Sequence, residues 1–257
     1  MKSIPKKRKK GTIEDQINRV MNDPFLLSIN LKNIEDAEER CLPITARSEK
    51  IVLEIGSAGG VTKKLRPNWQ TSDIRACSGV DRVFSAECIP AENNSIDLVF
   101  AQDVLHHIPD LHRFSEEIFR VLRPGGAIYF REPYWGPIAK IVWKLFHPED
   151  FSVNSLKLKQ EYRSAMHGNQ ALAYALLTNK RQDIVNCFKS FEIRNYGPKL
   201  GLAFLLSGGA TFTTCVSRSF LFKVLAFENR FPAIMRLTGF ACSFSLHKPL
   251  GIQSSTF

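Results

Sequence analysis

Residues 51–60, IVLEIGSAGG, constrain this chain more than any other stretch. The apolar run Ile51-Val52-Leu53, resumed at Ile55, predicts a strand of a parallel sheet buried on both faces, because such strands are near-continuous rather than alternating. Glycines placed directly after it let the backbone turn sharply and approach a ligand closely. In an open α/β sheet a loop at that position lies outside the strand ends, where such sheets bind ligands. The same ten residues would also serve an ordinary strand and turn, so their meaning depends on the rest of the chain.

A dinucleotide fingerprint needs G-x-G-x-x-G, whereas this loop offers Gly56-x-x-Gly59-Gly60 with Glu54 two residues ahead of it. A carboxylate at the strand tip would repel a pyrophosphate and argues against NAD. It suits a ligand with a cationic amino group, such as the methionine part of S-adenosylmethionine.

Composition sets the frame for that loop. The 257 residues suffice for one domain with insertions, and 44% hydrophobic with 23% charged residues is a globular balance. The net charge of +10 has a local source in Lys2, Lys6, Lys7, Arg8, Lys9 and Lys10. Residues 1–10 are expected to be a solvated basic tail, with an anionic lipid or nucleic-acid surface as the alternative. No apolar run comes after it, so it does not read as a signal peptide. Six scattered cysteines without C-x-x-C spacing predict a reduced, cytoplasmic chain with no zinc or iron–sulfur site, and disfavour radical chemistry. No window reaches the roughly 18 uninterrupted apolar residues of a membrane span.

Along the chain, helical spacing over residues 11–40, broken at Asn22-Asp23-Pro24, predicts a helical lead-in extending to residue 48. Strands are expected at 69–74, 80–84, 96–101 and 127–130, with a helix over 112–122 that stops at Arg123-Pro124-Gly125-Gly126. Asp73 ends the second strand. An acid about twenty residues after the first strand falls at the tip of the neighbouring strand, where it can take both hydroxyls of a ribose; a plain turn aspartate is the alternative.

The order VLEIGSAGG, Asp73, AECIPAENNSIDLVFAQDVLHHI and EEIFRVLRPGGAIYFREP resembles class I S-adenosylmethionine-dependent methyltransferases of the methyltransferase 11 type. The segments EPYWGPIAKIVWKLFHPEDF, GNQAL and LLSGG extend the resemblance toward a bacterial subgroup. It implies an α/β Rossmann-like fold: a seven-stranded, mostly parallel sheet with a reversed last strand and helices on both faces. Residues 191–195 and 240–247 are the natural sixth and seventh strands. Residues 11–257 would form a single methyltransferase domain, with insertions at 134–180 and 198–238 that rise from the cofactor edge and could roof the pocket.

The resemblance also implies roles. Glu54 would hold the methionine end of S-adenosylmethionine, with Gly56, Ala58 and Gly60 shaping the backbone around it, and Asp73 would take the ribose. Ser85 stands where relatives carry an aspartate for the adenine amino group, and the Ala86 backbone could still serve the ring. Ala58 departs from the usual central glycine. Gln102 and Asp103, after the fourth strand, are expected near the transferable methyl. Histidine is well tuned to remove a hydroxyl proton near neutral pH, which makes His106 and His107 the first candidates for a general base and His167 an alternative. Either of the paired histidines could instead cap or pack the following helix. Glu132 and Tyr134 are further pocket candidates, and no metal is needed, because the donor of a sulfonium methyl is already activated.

The second insertion is rich in phenylalanine interleaved with Arg218, Lys223, Arg230 and Arg236. That pattern fits a lipid-like acceptor or peripheral contact with the inner face of a membrane, and equally a lid with its own apolar core. The expected function is methylation, at oxygen, of a small or amphipathic acceptor in biosynthesis. A non-catalytic cofactor- or partner-binding module of the same fold is the alternative. A nucleic-acid methyltransferase is disfavoured, because the place of a [DN]-P-P-[YF] clamp reads Ala101-Gln102-Asp103-Val104 and the charge is confined to one tail.

Overall fold

Asn22-Asp23-Pro24 divides the lead-in into two helices, α1 (Ile13–Asn22) and α2 (Pro24–Cys41). Asp23 accepts the backbone N–H groups of Phe25 and Leu26, and Pro24 occupies the first turn, where its missing N–H costs nothing. The computed structural model describes residues 13–42, 49–146, 150–160, 168–209, 214 and 216–251.

Beyond the helices lie seven strands: β1 (Val52–Ile55), β2 (Gln70–Asp73), β3 (Arg82–Val83), β4 (Ile96–Gln102), β5 (Leu122–Pro133), β6 (Glu192–Lys199) and β7 (Ala241–His247). They form one sheet in the order β3-β2-β1-β4-β5-β7-β6. The first five are parallel to their neighbours, and β7 runs antiparallel between β5 and β6. This is the seven-stranded arrangement with a reversed last strand that the sequence implied. The order reverses between β1 and β4, the point beyond whose strand ends open α/β sheets bind ligands.

The core derives from strand composition. All four residues of β1 and the first six of β4 are buried, as two-faced parallel strands require. On one face Phe114, Ile118 and Val121 of α4 (Leu111–Val121) pack on Val99, Ile128 and Phe130, and Phe130 stacks on Phe244 at 4.9 Å. On the other, Ile34 and Ala37 of α2 cover Leu98, Phe100 and Tyr129. Burying each such side chain contributes about 1.5–3 kcal/mol.

Three expected boundaries move. The third strand shrinks from 80–84 to Arg82–Val83, because Asp81 is spent on Thr71, whose N–H and hydroxyl both reach its carboxylate. The fifth extends to Pro133, since β7 pairs with it from Ala127 to Pro133. Its start lies before the breaker turn: Leu122 pairs with Ile96 and pairing resumes at Ala127, so residues 123–126 bulge out, with Gly125 at φ 80°. The sixth takes in Pro198 and Lys199, so the second insertion begins at Leu200.

Lys199 and Pro133 flank Ala241 in register, so β5 and β6 deliver the chain to the same sheet edge. The first insertion carries α5 (Pro137–Phe146) and then α6 (Leu172–Leu177). Ala171, Leu172, Ala173 and Leu176 belong to the main core, so this part of the 134–180 segment is packed interior rather than roof. After α7 (Gln182–Cys187) and β6, the second insertion folds as α8 (Leu202–Ser207), α9 (Arg218–Arg230) and α10 (Pro232–Thr238). Ala203 and Leu221 pack against Phe25, Leu26 and Ile29, which joins the insertion to the N-terminal helices in a second apolar cluster.

Candidate active site

The glycine loop leaves β1 at the reversal point. Gly56 has φ 66°, and a Cβ there would lie 2.4 Å from Cγ2 of Val104, so the loops after β1 and β4 touch only because this position lacks a side chain. Gly60, at φ 78°, precedes the first residue of α3 (Val61–Leu65). Ala58 also adopts a left-handed conformation, φ 50°, at a cost of about 1–2 kcal/mol. Its N–H donates to Asp73 Oδ2 at 3.0 Å, which offsets part of that cost and ties the loop to the tip of β2.

Glu54 lies beneath this loop, 3% exposed. Its Oε1 accepts the Thr62 hydroxyl at 2.6 Å, while Oε2 is buried with no hydrogen-bond partner among the described residues. Burial pushes its carboxyl up to about 7; the Ser57 hydroxyl, near but not bonded, and the bonded Thr62 hydroxyl offset part of that rise, and the Asp73 carboxylate adds to it. A buried carboxylate with one bare oxygen is the partner a cationic amino group calls for.

Asp73 is buried at the tip of β2, and its two oxygens are engaged differently. Oδ2 takes Ala58, and Oδ1 takes the backbone N–H of Arg75 at 2.9 Å and its guanidinium Nε at 3.2 Å. A ribose that bonds this carboxylate would displace the half-exposed Arg75 side chain. Phe84 N–H donates to Asp73 O, which brings Ser85 and Ala86 beside Asp73. The Ser85 hydroxyl accepts the Glu87 N–H at 3.2 Å.

Gln102, the last residue of β4, is held from the far side of the sheet: Asn33 Nδ2 donates to its Oε1 at 2.7 Å, and Tyr129 OH donates to Asn33 Oδ1 at 3.2 Å. Asp103 comes next, at φ 54°, and is ion-paired with Arg131 of β5. Neither Asn33 nor Arg131 carries a local sequence signal; both emerge only once α2 and β5 are placed against β4.

The two histidines differ. His106, in the 3-10 turn Leu105–His107, is 5% exposed, and its Nδ1 is 2.5 Å from Oε2 of the fully buried Glu132. Glu132 Oε1 accepts the N–H groups of Val104 and Leu105 at 2.9 and 2.8 Å. With His106 as the donor to Glu132 Oε2, the ring carries a hydrogen on Nδ1. His107 is half-buried, with its ring 4.1 Å from that of His106. Gly168 lies against both, since a Cβ there would come within 2.7 Å of each ring. The sequence names Glu132 only as a pocket residue; its place at the tip of the strand beside β4 was the available signal for the pairing. His167 lies outside the described residues.

Glycine loop, buried acid and ribose-spaced acid gather at the reversal of this strand order. Residues 59–130 match the methyltransferase 11 family, described as a methyltransferase domain, and the family uses S-adenosylmethionine. Among curated relatives, glycine/sarcosine/dimethylglycine N-methyltransferase of Actinopolyspora halophila is 32% identical over 78 residues, covering 28% of this chain and 14% of that protein. Phthiotriol/phenolphthiotriol dimycocerosates methyltransferase 1 of Mycobacterium ulcerans is 34% identical over 103 residues, covering 33% of this chain and 38% of its own length. The match therefore spans well under two thirds of either relative. Among solved structures, a SAM-dependent methyltransferase from Archaeoglobus fulgidus overlays with a TM-score of 0.48 at 13% identity, covering 87% of this chain and 93% of that one.

The residues present fit S-adenosylmethionine: Glu54 Oε2 for the amino group, a glycine cradle that a side chain at position 56 would fill, and Asp73 for the ribose. Among the described residues no group of His, Cys, Asp and Glu side chains could hold a metal ion, and no helix is long and apolar enough to cross a membrane.

Proposed function

We propose that the protein is an S-adenosylmethionine-dependent methyltransferase that methylates a hydroxyl of a small or amphipathic, lipid-like acceptor. The observation that carries this reading is the buried pair of Glu132 with His106, two residues beyond Val104, whose side chain meets Gly56 of the glycine loop. S-adenosylmethionine supplies an activated methyl on a sulfonium, so the chain's own tasks are to bind, align and deprotonate. Glu54 holds the amino group of the cofactor and Asp73 its ribose, and Gln102 and Asp103 border the methyl. Glu132 keeps the hydrogen of His106 on Nδ1, so that Nε2 takes the acceptor's hydroxyl proton as the new O–C bond forms and the C–S bond breaks.

The lipid-like acceptor is supported by the apolar insertion that starts at the same sheet edge, and by the relative named for methylating phthiotriol and phenolphthiotriol dimycocerosates. Tritium from [methyl-³H]S-adenosylmethionine, traced into the lipid and aqueous fractions of a cell extract, tests the reading. The expected result is label in a lipid-phase product that withstands mild acid as an ether does and is lost with His106→Ala. Label in an amine product, as the relative acting on glycine makes, would move the acceptor atom to nitrogen; no transfer to any fraction would leave a cofactor-binding module.

A further inference from the structure

Helix α9 has three ridges with different chemistry. At about 100° per residue, Leu221 and Glu228 share one ridge, Phe220 and Phe227 the next, and Lys223 and Arg230 the one beyond. The first is buried, Leu221 in the cluster with Phe25, Leu26 and Ile29 and Glu228 within the insertion. Glu228 accepts the N–H groups of Leu202 and Ala203 and the Thr238 hydroxyl, so the only acid of residues 200–240 is turned inward and satisfied. The second ridge faces outward: Phe220 is 51% and Phe227 55% exposed. Phe231, 45% exposed at the turn into α10, meets Phe227 with ring centroids 4.9 Å apart. Lys223, Arg230 and Arg236 are exposed around this aromatic strip.

Large aromatics are not left at half exposure to water along two turns of helix without consequence, and a strip of this kind with cations on its open side has the chemistry of a helix lying in a lipid headgroup layer. The charge pattern selects the lipid. Among residues 200–240 the outward charges are cationic and the single carboxylate is internal, which complements an anionic bilayer and not a neutral one. A second observation has the same sign. Arg19 of α1 donates to the carbonyls of Gly209 and Ser207 at the end of α8, so the six cations among residues 2–10 join the chain through a helix fastened to this insertion.

We propose that the exposed α9–α10 face, carrying Phe220, Phe227 and Phe231 with Lys223, Arg230 and Arg236, docks on the surface of an anionic lipid bilayer. The phenylalanines enter the headgroup–acyl boundary and the cations bind lipid phosphates, and docking puts the insertion that begins at the cofactor edge against the membrane. The proposal is independent of methyl transfer, because docking requires no cofactor.

Flotation of the full-length protein with phosphatidylcholine vesicles, and with vesicles in which about a third of the lipid is phosphatidylglycerol, tests it. The protein is expected to float with the anionic vesicles at least tenfold more than with the neutral ones, and to be released by raised salt. The combined Phe220→Ser, Phe227→Ser, Phe231→Ser variant should lose flotation at least tenfold while S-adenosylhomocysteine binding, measured alongside, reports that the fold is intact; Lys223→Gln with Arg230→Gln should lose the preference for anionic lipid. Absence from the anionic float fraction would overturn the proposal. So would a phenylalanine variant that floats as well as the parent, which would assign binding to the basic tail. A parent dimer that the same substitutions dissociate, with no flotation, would assign the face to a second copy of the chain.

Discussion

Oε2 of Glu132 lies 2.5 Å from Nδ1 of His106, both side chains are buried, and the other oxygen of Glu132 holds the backbone of Val104 and Leu105. The carboxylate thus fixes the turn that bears the histidine and the tautomer of its ring. Glu132→Gln is nearly isosteric, can still accept the two N–H groups, and turns an amide donor toward Nδ1, which would move the ring hydrogen to Nε2. Turnover of the acceptor should fall by about 10²–10⁴-fold with cofactor affinity unchanged. Equal losses of cofactor binding and turnover would show that the pair only supports the fold.

Glu54 gives a pH dependence with a definite sign. Its carboxyl is held near 7 in the folded protein, against an ordinary value near 4.5. Ionised in the unfolded chain but protonated when folded, it lets ligand-free stability fall as pH rises from about 4.5 to 7, by an amount on the order of 3 kcal/mol, and level off above. A cationic amino group favours the ionised form, so cofactor affinity should rise as pH rises through 7. Glu54→Gln should raise the ligand-free melting temperature at pH 8, weaken cofactor binding by about 1–3 kcal/mol and abolish its pH dependence, all readable by scanning and titration calorimetry.

Arg75 stands on the carboxylate that the ribose requires. Its side chain is half-exposed, so the ion pair is worth at most about 1 kcal/mol. Arg75→Ala should strengthen S-adenosylhomocysteine binding, by up to about fivefold, because the ligand no longer displaces the guanidinium. Weaker binding would mean that Arg75 contacts the ligand itself.

Glu228 clasps the second insertion by bonding α8 and α10 from α9. Glu228→Ala leaves the N–H groups of Leu202 and Ala203 without their acceptor, while the Thr238 hydroxyl keeps the carbonyl of Ile234; the cost is about 1–3 kcal/mol for each N–H not reached by water. The expected outcome is proteolytic nicking within residues 200–238 at protease levels that spare the parent, with β1–β5 remaining intact. Unchanged resistance would show that the apolar contacts with Phe25 and Leu26 hold the insertion without this clasp.

The parallel half of the sheet is legible in the sequence because each buried strand is a short apolar run punctuated by its own breaker, as at Ile96–Ala101 and Gly125-Gly126. The cofactor side is legible for a related reason: Glu54 and Asp73 sit at strand tips, and spacing along a βαβ path converts directly into neighbouring positions at one edge. Pairing across the site is not. Glu132 meets His106, Arg131 meets Asp103 and Asn33 meets Gln102 through contacts that depend on which strand or helix lies beside β4, and local composition does not encode them. Arg75 escapes the sequence because spacing alone gives Asp73 its role, and that spacing says nothing about a competing cation two residues away. Length and departure from the cofactor edge suggest a roof for the 134–180 segment, while the small and apolar residues 171–176 have the composition of core.

Titration calorimetry of the intact chain with S-adenosylhomocysteine decides whether the loop after β1 binds S-adenosylmethionine. One site per chain is expected, with affinity lost when Gly56→Val fills the space against Val104 or Asp73→Ala removes the ribose acceptor, and kept in Phe220→Ser, which lies on the outer face of the insertion. No heat of binding from the intact protein, or binding that survives both site substitutions, would contradict it.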